Sequence, residues 1–181
     1  NVEYGISIFT ENKLSNPVKE KYILLPFYTR RESSNKYNAF KINLSYNSTF
    51  GSIGFGCERV DPGYKTLGAY YNTNDFINYT VNYGGSILKN KITLTLAAGL
   101  QEDNLKNSKE QKNINKVANI NISFIPIKSL NINTYYSNFY NFTNIKTGFE
   151  NINTTNPYGY LDTLSFTQIS ETYSISTSYS G

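Results

Sequence analysis

Apolar residues recur at every second position over nine stretches of this chain, with small polar residues between them. In one stretch Ile92, Leu94, Leu96, Ala98 and Leu100 alternate with Thr93, Thr95, Ala97 and Gly99. A strand with that spacing turns hydrocarbon to one side and water-compatible groups to the other. Phe40, Ile42, Leu44 and Tyr46 alternate in the same way with Lys41, Asn43, Ser45 and Asn47. The pattern predicts strands at 3–13, 19–30, 38–47, 51–61, 76–87, 91–101, 116–126, 130–140 and 166–180.

The connections alternate in length. Short ones run from Leu14 to Val18, Ser48 to Phe50, Leu88 to Asn90 and Ile127 to Ser129, and long ones cover 31–37, 62–75, 102–115 and 141–165. Strands of about 9–11 residues, with turns at one end and loops at the other, describe an all-β, antiparallel, up-and-down transmembrane β-barrel. Odd-numbered strands then run down to the short turns and even-numbered ones up. Single-chain bacterial barrels have even strand numbers, and an open edge in hydrocarbon leaves backbone groups unpaired at roughly several kcal/mol each. Residues 1–181 are therefore expected to be one domain, a segment of a larger barrel whose edges meet further strands or subunits. Asn1 opens the chain without Met or a leader, and Ser180 and Gly181 close it without a terminal aromatic residue, which fits the same expectation.

The two faces differ in chemistry. Ile77, Tyr79, Val81 and Tyr83 oppose Asn78, Thr80 and Asn82, and Ile169, Tyr173, Ile175 and Tyr179 oppose a run of Ser and Thr. The lumen-facing set is predicted as Lys41, Asn43, Ser45, Glu58, Asn78, Thr80, Asn82, Thr93, Thr95, Asn119, Asn121, Ser174 and Ser176. Tyr4, Phe40, Tyr46, Tyr83, Phe124, Tyr136 and Tyr179 lie towards strand ends, where amphipathic rings form interfacial girdles; ordinary β-propensity enriches the same residues. The second strand is ambiguous, because Tyr22 to Tyr28 is apolar on both faces and contains Pro26, so a bulge or an interior plug is expected there. Gly54 and Gly56 are expected to admit another backbone or a plug at close range.

Hydrophobic residues make up 39% of the chain, modest for a packed core but sufficient for a wall with one wet side. No apolar run reaches the roughly 18 residues of a spanning helix. The 17 Lys and Arg exceed the 13 Asp and Glu by only four, too little to imply a nucleic-acid partner. Lys106, Lys109, Lys112 and Lys116 are interleaved with Glu102, Asp103 and Glu110, as on a solvated loop. Cys57 has no disulfide partner and reads as a small apolar group on the lipid side. The chain has no His, which removes Ser–His–Asp, Cys–His and His-zinc chemistry, so no enzymatic activity is expected. Glu58 with Asp61, and Glu102 with Asp103, read as solvated acids rather than a hydrolytic pair. Asn72, Thr73, Asn74 and Asp75 offer one carboxylate, too few for calcium, so neither a metal nor a cofactor is expected.

One segment stands apart. Glu58 to Tyr71 carries Arg59 and Asp61, placed to pair at a strand end, then Pro62-Gly63 and the rings Tyr64, Tyr70 and Tyr71. It reads either as a packed loop over a barrel mouth or as an inward constriction or partner-docking loop. With Asn74-Asp75 and Asn78-Tyr79-Thr80-Val81, this stretch resembles segments of large outer-membrane barrels of Bacteroidota. The resemblance implies a bacterial outer-membrane location and carries no catalytic motif. A polar conduit for solute or polypeptide is the expected function. An assembly barrel whose loops bind a surface lipoprotein or other partner is the alternative, and a soluble β-sandwich adhesin or carbohydrate-binding module is the third reading.

Overall fold

The structure, a computed structural model, describes residues 1–18, 28–66, 74–88, 90–146 and 163–180. These form eight strands and no helix: β1 (Val2–Thr10), β2 (Ser34–Ser48), β3 (Gly51–Val60), β4 (Phe76–Ile87), β5 (Ile92–Asp103), β6 (Gln111–Ile127), β7 (Leu130–Lys146) and β8 (Thr163–Tyr179). Each pairs antiparallel with its sequence neighbour, giving one up-and-down sheet ordered β1 to β8. Among the described residues β8 does not pair with β1, so the sheet is open.

The alternation of short and long connections is present, with eight strands among the described residues where nine are expected. Most of the expected second strand, 19–27, lies outside the described residues, and Tyr28, Thr29 and Arg30 carry no strand. β1 instead pairs directly with β2, Tyr4 opposite Phe40 and Ile8 opposite Lys36. The first strand therefore runs towards the long-loop end, opposite to its expected direction. The Leu14 to Val18 turn belongs to the long β1–β2 connection, pinned by a Pro17–Arg31 bridge. β2, β6 and β7 also extend into the expected loops 31–37, 102–115 and 141–165.

The tight turns follow from local chemistry. Gly51 takes φ 141° after β2, where the Ser48 hydroxyl donates to its carbonyl at 3.1 Å. Leu88 and Asn90 adopt positive φ between β4 and β5, a region Asn tolerates. Pro126 cannot donate to the ladder, and the β6–β7 register shifts by a bulge between Phe124 and Ile127.

Register places the apolar positions on one face. The row Leu44, Phe55, Val81, Ala98 and Ala118 crosses five strands, and the row Tyr46, Ile53, Tyr83, Leu96, Ile120, Tyr136 and Tyr173 crosses seven. Cys57, between Ile42 and Tyr79, is on this face. Nothing among the described residues covers it: Leu44 is 58% exposed and Ile175 75%. The chain exposes 13528 Å², whereas a compact soluble chain of its mass exposes roughly 8,900 Å².

The second row also measures strand inclination. It passes two residues from the start of β3 (Ile53 to Gly51), four from that of β5 (Leu96 to Ile92) and six from that of β7 (Tyr136 to Leu130). The turns thus step by roughly 13 Å over four strand spacings totalling roughly 19 Å, an inclination of about 35°. Barrel strands incline by about 35–45°. On β4 the apolar positions from Ile77 to Ile87 then span a band about 27 Å tall, close to the roughly 25 Å apolar belt of outer-membrane barrels.

Candidate functional site: the polar face

The opposite face carries a row of hydrogen-bonding side chains across all eight strands: Glu3, Lys41, Glu58, Asn78, Gln101, Asn115, Asn141 and Gln168 stand in successive register. Its β1–β3 end is charged, two carboxylates about one ammonium, with Lys41 Nζ 3.6 Å from Glu58 Oε2. From β4 onwards it consists of carboxamides. Asn115 Nδ2 donates to Gln101 Oε1 at 3.4 Å, and Asn141 Nδ2 donates to Asn115 Oδ1. Thr143 Oγ1 extends the network to Asn113 and Asn141 at 2.8 and 2.9 Å. A carboxamide donates and accepts, so a ladder of them satisfies itself and still presents groups to a ligand or water.

A concavity of about 420 Å³ lies on this face over β4 to β7, lined in part by Asn78, Asn82, Gln101, Asn115, Asn119 and Phe139. All thirteen residues expected to face a lumen stand on this one face. Lys41, Glu58 and Asn78 belong to the row itself. Asn43 and Thr80 lie in the next row, Ser45, Asn82 and Asn119 in the one after, and Thr95, Asn121 and Ser174 beyond that. Thr93 and Ser176 complete the set near the short turns.

Gly54 and Gly56 are buried on the same face, and their close neighbours among the described residues are side chains of the sheet. A Cβ at Gly54 would meet the Asn82 amide, and one at Gly56 would meet Thr80 Oγ1.

The β3–β4 loop folds over this face at the long-loop end. Asp61 N–H donates to the Asn38 carbonyl at 2.9 Å and Tyr64 N–H to the Asp61 carbonyl at 3.1 Å. Gly63, at φ 86°, lies against the Tyr37 ring, where a Cβ would approach to 2.7 Å. The Tyr64 ring lies over Gly5, and Lys65 Nζ stands 4.3 Å above the Phe9 ring. Tyr64 thus narrows the polar face. Arg59 does not: it shares a row with Phe40 and Ile77 on the apolar face. There it pairs with Asp61 at 3.4 Å, and Asp61 accepts from Asn38 N–H at 3.0 Å. Tyr70 and Tyr71 lie outside the described residues.

A second cluster, unanticipated from the sequence, joins two loops. Asp75 and Asn104 are fully buried at the long-loop end. Asn104 N–H donates to the Asp75 carbonyl at 3.0 Å and Leu105 N–H to Asp75 Oδ1 at 2.9 Å. Asn104 Nδ2 donates to the carbonyls of Lys109 and Gln111, and its Oδ1 accepts from Lys109 N–H at 3.0 Å. Both residues take positive φ, which Asn and Asp adopt more readily than other side-chain-bearing residues. Their positive-φ preference is the signal a sequence could have offered. Among the described residues no group of three His, Cys, Asp or Glu is close enough to hold a metal.

No protein-family model matches this chain, and neither a curated protein nor a solved structure matches it.

Proposed function

We propose that this sheet is part of the wall of a bacterial outer-membrane β-barrel, its polar face lining a conduit for polar solutes or an extended polypeptide. The observation that carries the reading is the uninterrupted row from Glu3 to Gln168, backed on the other side by an apolar, uncovered face. An inclination of about 35° and an apolar band about 27 Å tall support it, because both match what a bilayer requires of strands. The resemblance of residues 58–81 to Bacteroidota barrels supports the same location. A lining of Asn, Gln, Ser and Thr with few net charges suits weakly selective passage better than an ion filter. The open edges at β1 and β8 call for further strands or subunits in the assembled wall, since an unpaired edge does not persist in hydrocarbon.

Planar-bilayer conductance of the assembled protein tests the conduit, and a sealed barrel with no displaceable plug would overturn it. Removing residues 147–162, between β7 and β8, separates the conduit from the assembly role. A changed conductance with partners retained favours the conduit; loss of a co-purifying partner with conductance unchanged favours assembly. Extraction into plain buffer without detergent would instead establish the soluble β-sandwich.

A further inference from the structure

Glu171 stands on the apolar face at the middle of β8, eight residues from either end of the strand. It ends the row Leu44, Phe55, Val81, Ala98, Ala118, Asn138. Ile169 and Tyr140 flank it towards the long loops, Tyr173 and Ile175 towards the turns. Its Oε1 accepts from Asn138 Nδ2 at 3.0 Å and from the Tyr136 hydroxyl at 3.3 Å, and its Oε2 accepts from the Tyr173 hydroxyl at 3.1 Å. The Tyr136 and Tyr173 rings pack with centroids 4.8 Å apart. These donors come from β7 and from β8 itself, and all are neutral.

The other strand carboxylate on this face, Glu102, has a cation, Lys112 Nζ at 2.6 Å, and Asp61 beyond the end of β3 has Arg59 at 3.4 Å. Glu171 has none among the described residues, and it lies beside the free edge of the sheet. A carboxylate facing acyl chains is costly to leave without an opposite charge.

We infer that the free edge of β8 receives a further antiparallel strand that brings a Lys or Arg opposite Glu171 on the apolar face. The inference rests on the membrane-wall reading and adds which edge is joined and by what chemistry. β1 does not fit the role. Its apolar-face residues Val2, Tyr4, Ile6 and Ile8 offer no cation. The β8 edge of a second copy does not fit either, since two copies inserted in one orientation present β8 strands running the same way, not antiparallel.

The test places p-benzoylphenylalanine at Ile169, two residues from Glu171, and separately at Phe55 in the middle of the same face, in the chain within the membranes of cells that make it. The expected result is a lipid adduct from Phe55 and a protein adduct from Ile169 that maps to an extended segment carrying Lys or Arg. Glu171→Leu should lower the yield of that protein adduct at least tenfold, while Glu171→Asp retains most of it. A lipid adduct at Ile169, an adduct to a second copy's β8, a mapped segment without a cation, or an unchanged yield in Glu171→Leu would each overturn the inference. Absence of lipid labelling at Phe55 would instead overturn the membrane reading beneath it.

Discussion

Lys109 Nζ stands 3.1 Å from Asp75 Oδ2, joining the β5–β6 loop to the last residue of the β3–β4 loop. The Asp75 side chain is fully shielded while that of Lys109 remains 46% exposed. Lys109 is the counter-charge of Asp75 among the described residues, and the Leu105 N–H serves the other oxygen. Two loops separated in sequence by a complete hairpin are thus fixed to each other by one buried carboxylate.

Asn104 is the keystone of that junction. Asn104→Ala removes three side-chain hydrogen bonds and places Ala at φ 53°. With buried carbonyls left unsatisfied, the cost is about 2–3 kcal/mol. Amide hydrogen exchange at Lys109 should accelerate roughly 30-fold or more on that figure, with β7 and β8 unaffected. Lys109→Ala should be at least as damaging, because it leaves the fully buried Asp75 carboxylate without its counter-charge. Equal exchange rates in wild type and Asn104→Ala would remove the role assigned to this cluster.

Gly56 and Gly54 separate a rigid neighbour from a flexible one. The atom that a Cβ at Gly56 would strike belongs to the short, β-branched Thr80, with Asn43 Oδ1 at 3.1 Å on another side; at Gly54 it is the end of the Asn82 amide, which can swing away. Gly56→Ala should therefore cost about 1–3 kcal/mol and Gly54→Ala less. Thr80→Ala should restore most of the loss in the double variant. Urea unfolding of the four proteins decides this, and failure of rescue would relocate the strain.

How much of this was legible in the sequence differs by feature. Period-two alternation showed the faces of β3, β4 and β5, because each is a clean run of apolar and small polar residues. It did not show the outer ends of β6 and β7. There Asn113, Asn115, Asn141 and Thr143 hold the ladder through side-chain hydrogen bonds rather than an apolar stripe. The run Tyr22 to Phe27 lies outside the described residues, and β1 pairs directly with β2. The carboxamide row was invisible for another reason. Its members were seen singly, but their alignment depends on registers that turns and bulges set between strands, which no single strand encodes. The same holds for Arg59, whose face depends on counting from Gly51.

Cys57 gives a direct measure of which face meets lipid. In register with Ile42 and Tyr79 it belongs to the apolar side, while Lys41, one position before Ile42, belongs to the polar side. In intact membranes a charged, water-soluble maleimide should leave Cys57 unlabelled and should label a Cys57→Ser, Lys41→Cys variant readily. Detergent and denaturant should expose Cys57. Rapid labelling of Cys57 in intact membranes would reverse the assignment of the two faces.

Lys41 is also where the polar face is electrically most sensitive. It stands between Glu3 and Glu58 in the row, and its ammonium lies 3.6 Å from Glu58 Oε2. Lys41→Glu would place three carboxylates side by side with no cation among them. If the face lines a water-filled conduit, passing ions sample that ring, and the permeability ratio should move towards cations. The shift should shrink as ionic strength rises, since the screening length falls from about 10 Å at 0.1 M to about 3 Å at 1 M. Reversal-potential measurements in a salt gradient read this quantity. A channel whose selectivity is the same with Lys41 and with Glu at that position would mean that ions do not pass this face.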